Sequence, residues 1–488
     1  MRAAIAALVG VLGVATIGSA DPVQHELVTK PLRFARPHVG TVAPTIYLER
    51  CKGGCVLKAG ADDAKGYTAE IPEGPGPFTI SEYQNEQHQT GTDADAEWAQ
   101  VLKCVQETYS PYGVQITDQK PADDRPYNMT IVAGLPAEVG LPNSYGGVGH
   151  GTCDALNNAI SFTFANFNWG SGQDRIWELC GVVAQETGHN FGLDHVYEFN
   201  NGTSTVSGCK DPMTYRPSCG QKFFRNELAT CGEYNTRPCK CGGGLQNSHQ
   251  TLLNVFGPGT PITTPPTLEV TTPTATTGTI GAGFIVNATA GAQRGIKTVD
   301  LYINGWKWAS ASPAAFGPSG QPTVNYGMKI PDEVPDGVMD IVVKASDDID
   351  TTTTAPTVTV TKGAACTDAT TCLAGMKCEA GKCFWDEPAG VLGETCTYEQ
   401  YCISGMCVPK SEGSAEKVCS RSCVVSSDAA CEAGFECVAE TISSGACLPK
   451  GAGGGGGGCS TSVDGSTTGA FALGLFGVGA VLLRRRRR

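Results

Sequence analysis

The segment Gln185-Glu186-Thr187-Gly188-His189-Asn190-Phe191-Gly192-Leu193-Asp194-His195 sets an amide, a carboxylate and two imidazoles at intervals suited to holding one metal ion. On a helix, residues four apart project from the same face, so positions 185 and 189 can address a single ion. Glu186, offset by one residue, lies beside that ion, where it can take a proton from an attacking water. Gly192 can adopt a positive φ, end the helix and bring His195 back to the same point. The chemistry that such a set supports is hydrolysis by metal-activated water.

The elements around the segment suit that use. Ile176, Trp177, Leu179, Val182 and Val183 form an apolar stripe from Asp174 onward, which predicts a helix leading into the motif. Phe191 and Leu193 are expected to anchor the turn in the core. Further on, Asp211-Pro212-Met213-Thr214-Tyr215 supplies a methionine and, two residues later, a tyrosine.

With these residues in view, the chain resembles the metzincin metallopeptidases, whose pattern is H-E-x-x-H-x-x-G-x-x-H followed by a Met-turn. Gly188 to Leu193 and His195 look like the zinc helix of the reprolysin-like and matrixin-like branches. The resemblance implies a twisted sheet with an amino-side helix and an active-site helix, spanning residues 41–262. It also implies Zn2+ held by His189 and His195, Glu186 as general base and then general acid, and Met213 as an apolar floor. Tyr215 matches a tyrosine that, in the astacin and serralysin branches, ligates zinc or stabilises the transition state.

The departure is Gln185, which stands where the first zinc histidine belongs. A neutral amide oxygen is a poor match for a borderline-soft ion. Gln185 can ligate through oxygen, or Tyr215 or His150 can complete the site, or no metal binds and the domain recognises proteins without cutting them. The leading expectation is an endopeptidase acting on protein or peptide substrates. The alternative is an inactive, adhesive relative.

The whole chain reads as an exported, modular protein: 488 residues with a formal charge of −13. That acidic balance argues against nucleic acid as a partner. Arg2, the run from Ala3 to Ile17 and Gly18-Ser19-Ala20 predict a signal peptide over 1–20, with a leader or short pro-segment at 21–40. Of 23 cysteines, ten lie between Cys51 and Cys241 and twelve between Cys366 and Cys447, which suggests two disulfide sets that do not cross.

In the first domain, Asp95 is the expected N-cap of a helix reaching Tyr109, carrying Trp98, Val101, Leu102 and Val105 at helical spacing. Strands are expected at Gly113–Thr117, at Tyr127–Gly134 with alternating character, and at Ala159–Phe164. The predicted fold class is therefore multidomain. It comprises an α/β (α+β) metzincin-like domain, an all-β immunoglobulin-like sandwich and small disulfide-rich repeats.

Thr260 to Pro266 marks a linker. Residues 263–362 then alternate in β-branched runs, with Asn304-Gly305 as a hairpin signal, and predict the sandwich. It serves as a spacer, or binds a ligand through Trp306 and Trp308. Residues 363–450 hold the cysteine repeats, read as a stalk. In 451–488, six glycines precede Cys459-Ser460, an apolar run (Gly469–Leu483) and five arginines. This resembles the myxobacterial C-terminal sorting tail and implies processing or lipid attachment at Cys459. It also implies membrane association before processing, and delivery to the cell surface (outer membrane) or the extracellular space; the chain is expected to be a monomer.

Overall fold

The computed structural model describes residues 26–32, 42–122, 124–200, 205–207, 209–217, 219–317, 319–411, 413–424, 431–439 and 444–450. The expected signal peptide and the tail with Cys459 lie outside them, as does most of the leader. The chain divides into two units, one ending at Trp385 and one beginning at Asp386.

In chain order, the first module contains β1 (Glu26–Lys30), β2 (Thr45–Glu49), β3 (Cys55–Ala59), β4 (Thr68–Ala69), β5 (Phe78–Ile80), α1 (Asp95–Tyr109) and β6 (Gln115–Thr117). Next come β7 (Asn128–Val132), β8 (Tyr145–His150), β9 (Ile160–Thr163) and α2 (Gly172–His189). It closes with β10 (Val196–Asn200), β11 (Thr205–Ser207), β12 (Ala229–Cys231), β13 (Leu245–Gln246) and α3 (Ser248–Phe256). The main sheet has the order β1-β8-β9-β7-β2-β6, and only the β8–β9 pair is antiparallel.

The period of two along each strand sorts side chains onto two cores. Ile46, Leu48 and Val132 face helices α1 and α2, packing with Trp98, Val101, Leu179 and Val183. Tyr47, Met129, Ile131 and Phe162 face the small β3–β5 sheet, with Leu57, Phe78 and Ile80. The strand expected over Tyr127–Gly134 forms as β7, its side chains alternating between the two cores, and because both faces are covered all five of its residues are buried. Thr130, on the helical face, bonds Ser161 at 2.9 Å and Thr187 of α2 at 2.8 Å. A disulfide between Cys104 and Cys180 ties the two helices together.

The start of α1 differs from expectation. A short 3-10 turn, Gly91–Ala94, runs directly into the helix, so Ala94 occupies the cap position. Asp95 is the first helical residue, and its carboxylate pairs with Arg50 instead.

The second module contains β14 (Thr267–Thr272), β15 (Thr279–Ile280), β16 (Ile285–Gly291), β17 (Ile296–Ile303), β18 (Trp306–Ala311), β19 (Val324–Lys329), β20 (Gly337–Asp347), β21 (Thr352–Thr354) and β22 (Val358–Lys362). They form two sheets, β14-β16-β19 and β15-β22-β20-β17-β18, with β21 on β20. Val286, Val299, Leu301, Ile341 and Val343 fill the space between them. Asn304 (φ 48) and Gly305 (φ 86) are both left-handed, as a two-residue hairpin turn between β17 and β18 requires. Trp306 and Trp308 pack against Trp385, with ring centroids 5.9 and 5.4 Å apart.

The cysteines pair within the two expected sets. Cys51–Cys55, Cys104–Cys180, Cys153–Cys241, Cys209–Cys219 and Cys231–Cys239 belong to the first module, so Cys239 and Cys241 are disulfide halves and not thiolate ligands. In the repeats the pairing is interleaved: Cys366–Cys378 with Cys372–Cys383, Cys396–Cys407 with Cys402–Cys419, and Cys423–Cys437 with Cys431–Cys447. The chain is thus a multidomain, mostly β protein with a disulfide-rich C-terminal region. That many cross-links are a mark of an oxidising, exported setting.

Candidate metal centre

Helix α2 delivers the motif to the inside of the molecule. Its last turns are sealed between the sheet and the loops after it, and every residue from Leu179 to His189 is buried. The approach of β8 to the helix depends on glycines. A Cβ at Gly147 would sit 2.7 Å from the Glu186 Cγ, and one at Gly149 would sit 2.5 Å from the Glu186 carbonyl oxygen. A glycine at 188 likewise makes room for Met213, whose Sδ lies 3.1 Å from where its Cβ would be. Past the helix end, Gly192 (φ 86) reverses the chain, and the Leu193 amide donates back to the Gly188 carbonyl. Phe191 and Leu193 are buried in the core, as expected.

The reversal brings the two imidazoles together. His189 Nε2 and His195 Nε2 are 2.9 Å apart, with the ring planes nearly perpendicular. Each ring is held from behind: His189 Nδ1 donates to the Leu193 carbonyl at 2.7 Å, and His195 Nδ1 donates to Glu233 at 2.8 Å. A carbonyl can only accept. Glu233 also only accepts, because its bonds from His195 and Arg237 hold its carboxyl well below the usual range. Both protons therefore sit on Nδ1. Burial keeps both rings neutral: His189 falls well below its ordinary pKa, and His195 falls too, although Glu233 pulls it the other way. Two bare lone pairs are left facing each other.

Glu186 lies under β8, fully buried, with the Gly149 backbone amide of that strand as the one polar group drawing on its carboxylate and no well-formed hydrogen bond to either oxygen among the described residues. Burial raises its carboxyl well above the ordinary value. Gln185 is also buried, and its Nε2 likewise has no partner among them. The ring of Tyr215 stands edge-on to His195, with centroids 4.6 Å apart. Burial first, then the charges of Glu186 and Glu233, raise the phenol, which stays a proton donor.

The turn beneath is built on Asp211. Its Oδ1 accepts from the Met213 amide at 2.9 Å, its Oδ2 from the Arg225 amide at 2.9 Å, and its carbonyl from Thr214. Met213 is fully buried. The buried Lys222 ammonium donates to the carbonyls of Thr214 (3.3 Å) and Arg216 (2.6 Å), on either side of Tyr215.

His150, the other potential ligand, is directed elsewhere. Since Gly149 faces α2, its neighbour on the strand faces the other side. There His150 Nε2 lies 2.7 Å from Asp62 and its Nδ1 lies 3.6 Å from Glu70. A cavity of about 430 Å³ at the start of α2 is lined by Gln84, Asn166 and Arg175 and contains none of the site residues.

The structure thus brings His189, His195, Met213 and Tyr215 together, with Glu186 close enough to act on Tyr215, while Gln185 is buried one residue before Glu186 on the same helix. It adds three groups that sequence reasoning missed. Glu233 orients His195, Arg237 clamps both Glu233 and Asp194, and the Asp194 carboxylate caps the His195 amide at 2.8 Å. Glu233 lies 38 residues from the histidine it holds, and no local pattern marks it.

One more element touches the site. Strand β1 pairs in parallel with β8 along its outer edge, from Glu26–Tyr145 to Lys30–His150, so the sheet edge beside the motif is covered by residues 26–30.

No protein-family model matches this chain, and no curated protein matches it. Among solved structures, fibronectin(III)-like modules of Clostridium thermocellum CbhA are similar to it at 18% identity and a TM-score of 0.16, covering 20% of this chain and 94% of that one. Wild-type OgpA from Akkermansia muciniphila is similar at 12% identity and a TM-score of 0.16, covering 67% of this chain and 94% of the other. At such TM-scores, neither likeness bears on the activity of this chain.

Proposed function

We propose that residues 41–262 form a metzincin-like, zinc-dependent endopeptidase domain of an exported, surface-attached protein. The observation that supports this most is the facing of two neutral imidazole nitrogens 2.9 Å apart, on the helix and turn that also carry the buried carboxylate of Glu186. Two lone pairs at that separation repel. Two imidazole nitrogens 2.9 Å apart are close enough for both to hold one zinc ion, which would relieve that repulsion. Glu233 behind His195 is the carboxylate–histidine support that metal-binding imidazoles use. His189 and His195 would hold the zinc, with Gln185 as the third donor. When bound, the ion supplies Lewis acidity toward a peptide carbonyl and toward water.

The chain's own groups carry the proton steps. Glu186 takes the proton of the attacking water and gives it to the leaving amine, and its raised carboxyl suits both halves of that exchange. Tyr215, kept protonated, donates a hydrogen bond to the developing oxyanion. Met213 and the Asp211 turn set the depth of the floor. Protein or peptide segments are the substrates, engaging β8 through main-chain hydrogen bonds in the place that β1 occupies.

A second reading is favoured by Gln185 alone: a neutral amide as third donor leaves a weak site, and the domain then binds proteins without cutting them. Metal analysis of the purified full chain separates the two, together with casein cleavage with and without chelator. The enzyme reading expects one equivalent of zinc and chelator-sensitive cleavage, lost in Glu186→Ala with the zinc retained. Metal-free, inactive protein that gains zinc on Gln185→His establishes the binder.

A further inference from the structure

The β-sandwich was expected to be a spacer, yet it is joined to the turn beneath the metal centre by buried, charged groups. Arg294, in the loop between β16 and β17, is 1% exposed. Its Nε and Nη2 donate to Asp348 of the same module at 2.8 and 3.1 Å, and Nη2 also donates to the Phe224 carbonyl of the first module at 3.1 Å. In return, Arg225 Nη1 donates to the Arg294 carbonyl, and lies 3.5 Å from Asp348. The two guanidiniums also cross over rings of the opposite module, Arg294 above Phe223 and Arg225 above Phe316, each at 4.7 Å. Gln293 adds bonds to Glu107 at 2.6 Å and Gln221 at 3.1 Å.

Arg225 does more than join two modules. Its amide donates to Asp211 Oδ2 and its Nε to the Lys210 carbonyl, and Asp211 Oδ1 accepts from Met213. A line of direct bonds therefore runs from Asp348 through Arg294 and Arg225 to Asp211 and the Met213–Tyr215 turn. A buried guanidinium keeps its place only while its acceptors stay fixed, because an unpaired charge there is costly. We infer that the β-sandwich is a positioning module for the metal centre, and that Arg294 and Asp348 are positioning residues for the turn carrying Met213 and Tyr215. The inference rests on the proposed peptidase reading only in its kinetic arm.

The test uses the full chain with Arg294→Met, Arg294→Lys and Phe316→Ala, the last being a milder change should Arg294→Met fail to fold. Amide hydrogen exchange is read over 209–217, with β17 and β20 as an internal reference. The expected result is exchange about tenfold faster over 209–217 in Arg294→Met and Phe316→Ala, with β17 and β20 unchanged and partial recovery in Arg294→Lys. If the wild type cleaves casein, kcat falls about tenfold in Arg294→Met with KM within about twofold. Wild-type exchange over 209–217 in both variants, or equal acceleration in turn and sandwich, overturns the inference. This readout needs neither metal nor cleavage, so it decides the matter even if the peptidase reading fails.

Discussion

Glu233 accepts a hydrogen bond from His195 Nδ1 at 2.8 Å and is itself clamped by Arg237, which also pairs with Asp194 at 2.6 Å. One ion-pair network thus fixes the tautomer of an imidazole and the backbone on which that imidazole rides. Supports of this kind typically alter metal affinity by 10–100-fold when removed. Glu233→Ala is expected to weaken zinc binding by about that factor, measured by competition with a chromophoric chelator. Unchanged affinity would remove Glu233 from the site.

Asp211 gives a pH dependence whose sign follows from its burial. Burial raises its carboxyl from 3.8 to about 6, with the Arg225 and Met213 amides pulling the other way. A carboxyl raised by folding contributes stability that is full below its unfolded pKa and is lost as pH climbs through the folded value. Asp211→Asn breaks bonds in the turn but does not titrate. Its stability deficit relative to wild type should therefore shrink by about 3 kcal/mol between pH 3.5 and pH 7. Urea unfolding of the two proteins across that range measures it, and a constant deficit would contradict the account.

The leader strand covers the edge that a substrate would need. With β1 hydrogen-bonded to β8, an incoming peptide must displace it or find it gone. A chain beginning at residue 42 is expected to cleave casein several-fold faster than one retaining residues 21–41, through a lower KM. Equal KM values for the two forms would show that the edge is not the binding strand.

Much of the centre was legible because helix geometry converts spacing into direction. The stripe from Ile176 to Val183, the arrest at Gly192 and the pair His189 and His195 follow from a period of 3.6 and one left-handed residue. Strand β8 was not legible. Its Tyr-Gly-Gly-Val-Gly-His sequence has little strand propensity, and at Gly147 and Gly149 Glu186 and the α2 backbone leave no space for a Cβ. Glu233, Arg237 and the Arg294–Asp348 bridge were equally hidden, since each depends on segments distant in sequence that only the fold brings into contact. The β7 alternation was legible as two faces, but not that each face meets a core of its own, because the small β3–β5 sheet comes from segments far off in sequence.

The interleaved cysteine pairs have a consequence for how the molecule can come apart. From Cys366 to Cys383, from Cys396 to Cys419 and from Cys423 to Cys447, every peptide bond is spanned by at least one cross-link. A single nick anywhere in those stretches leaves both halves covalently joined. Within this region, severing the amino-terminal portion from the carboxyl-terminal remainder requires a cut at 384–395 or 420–422.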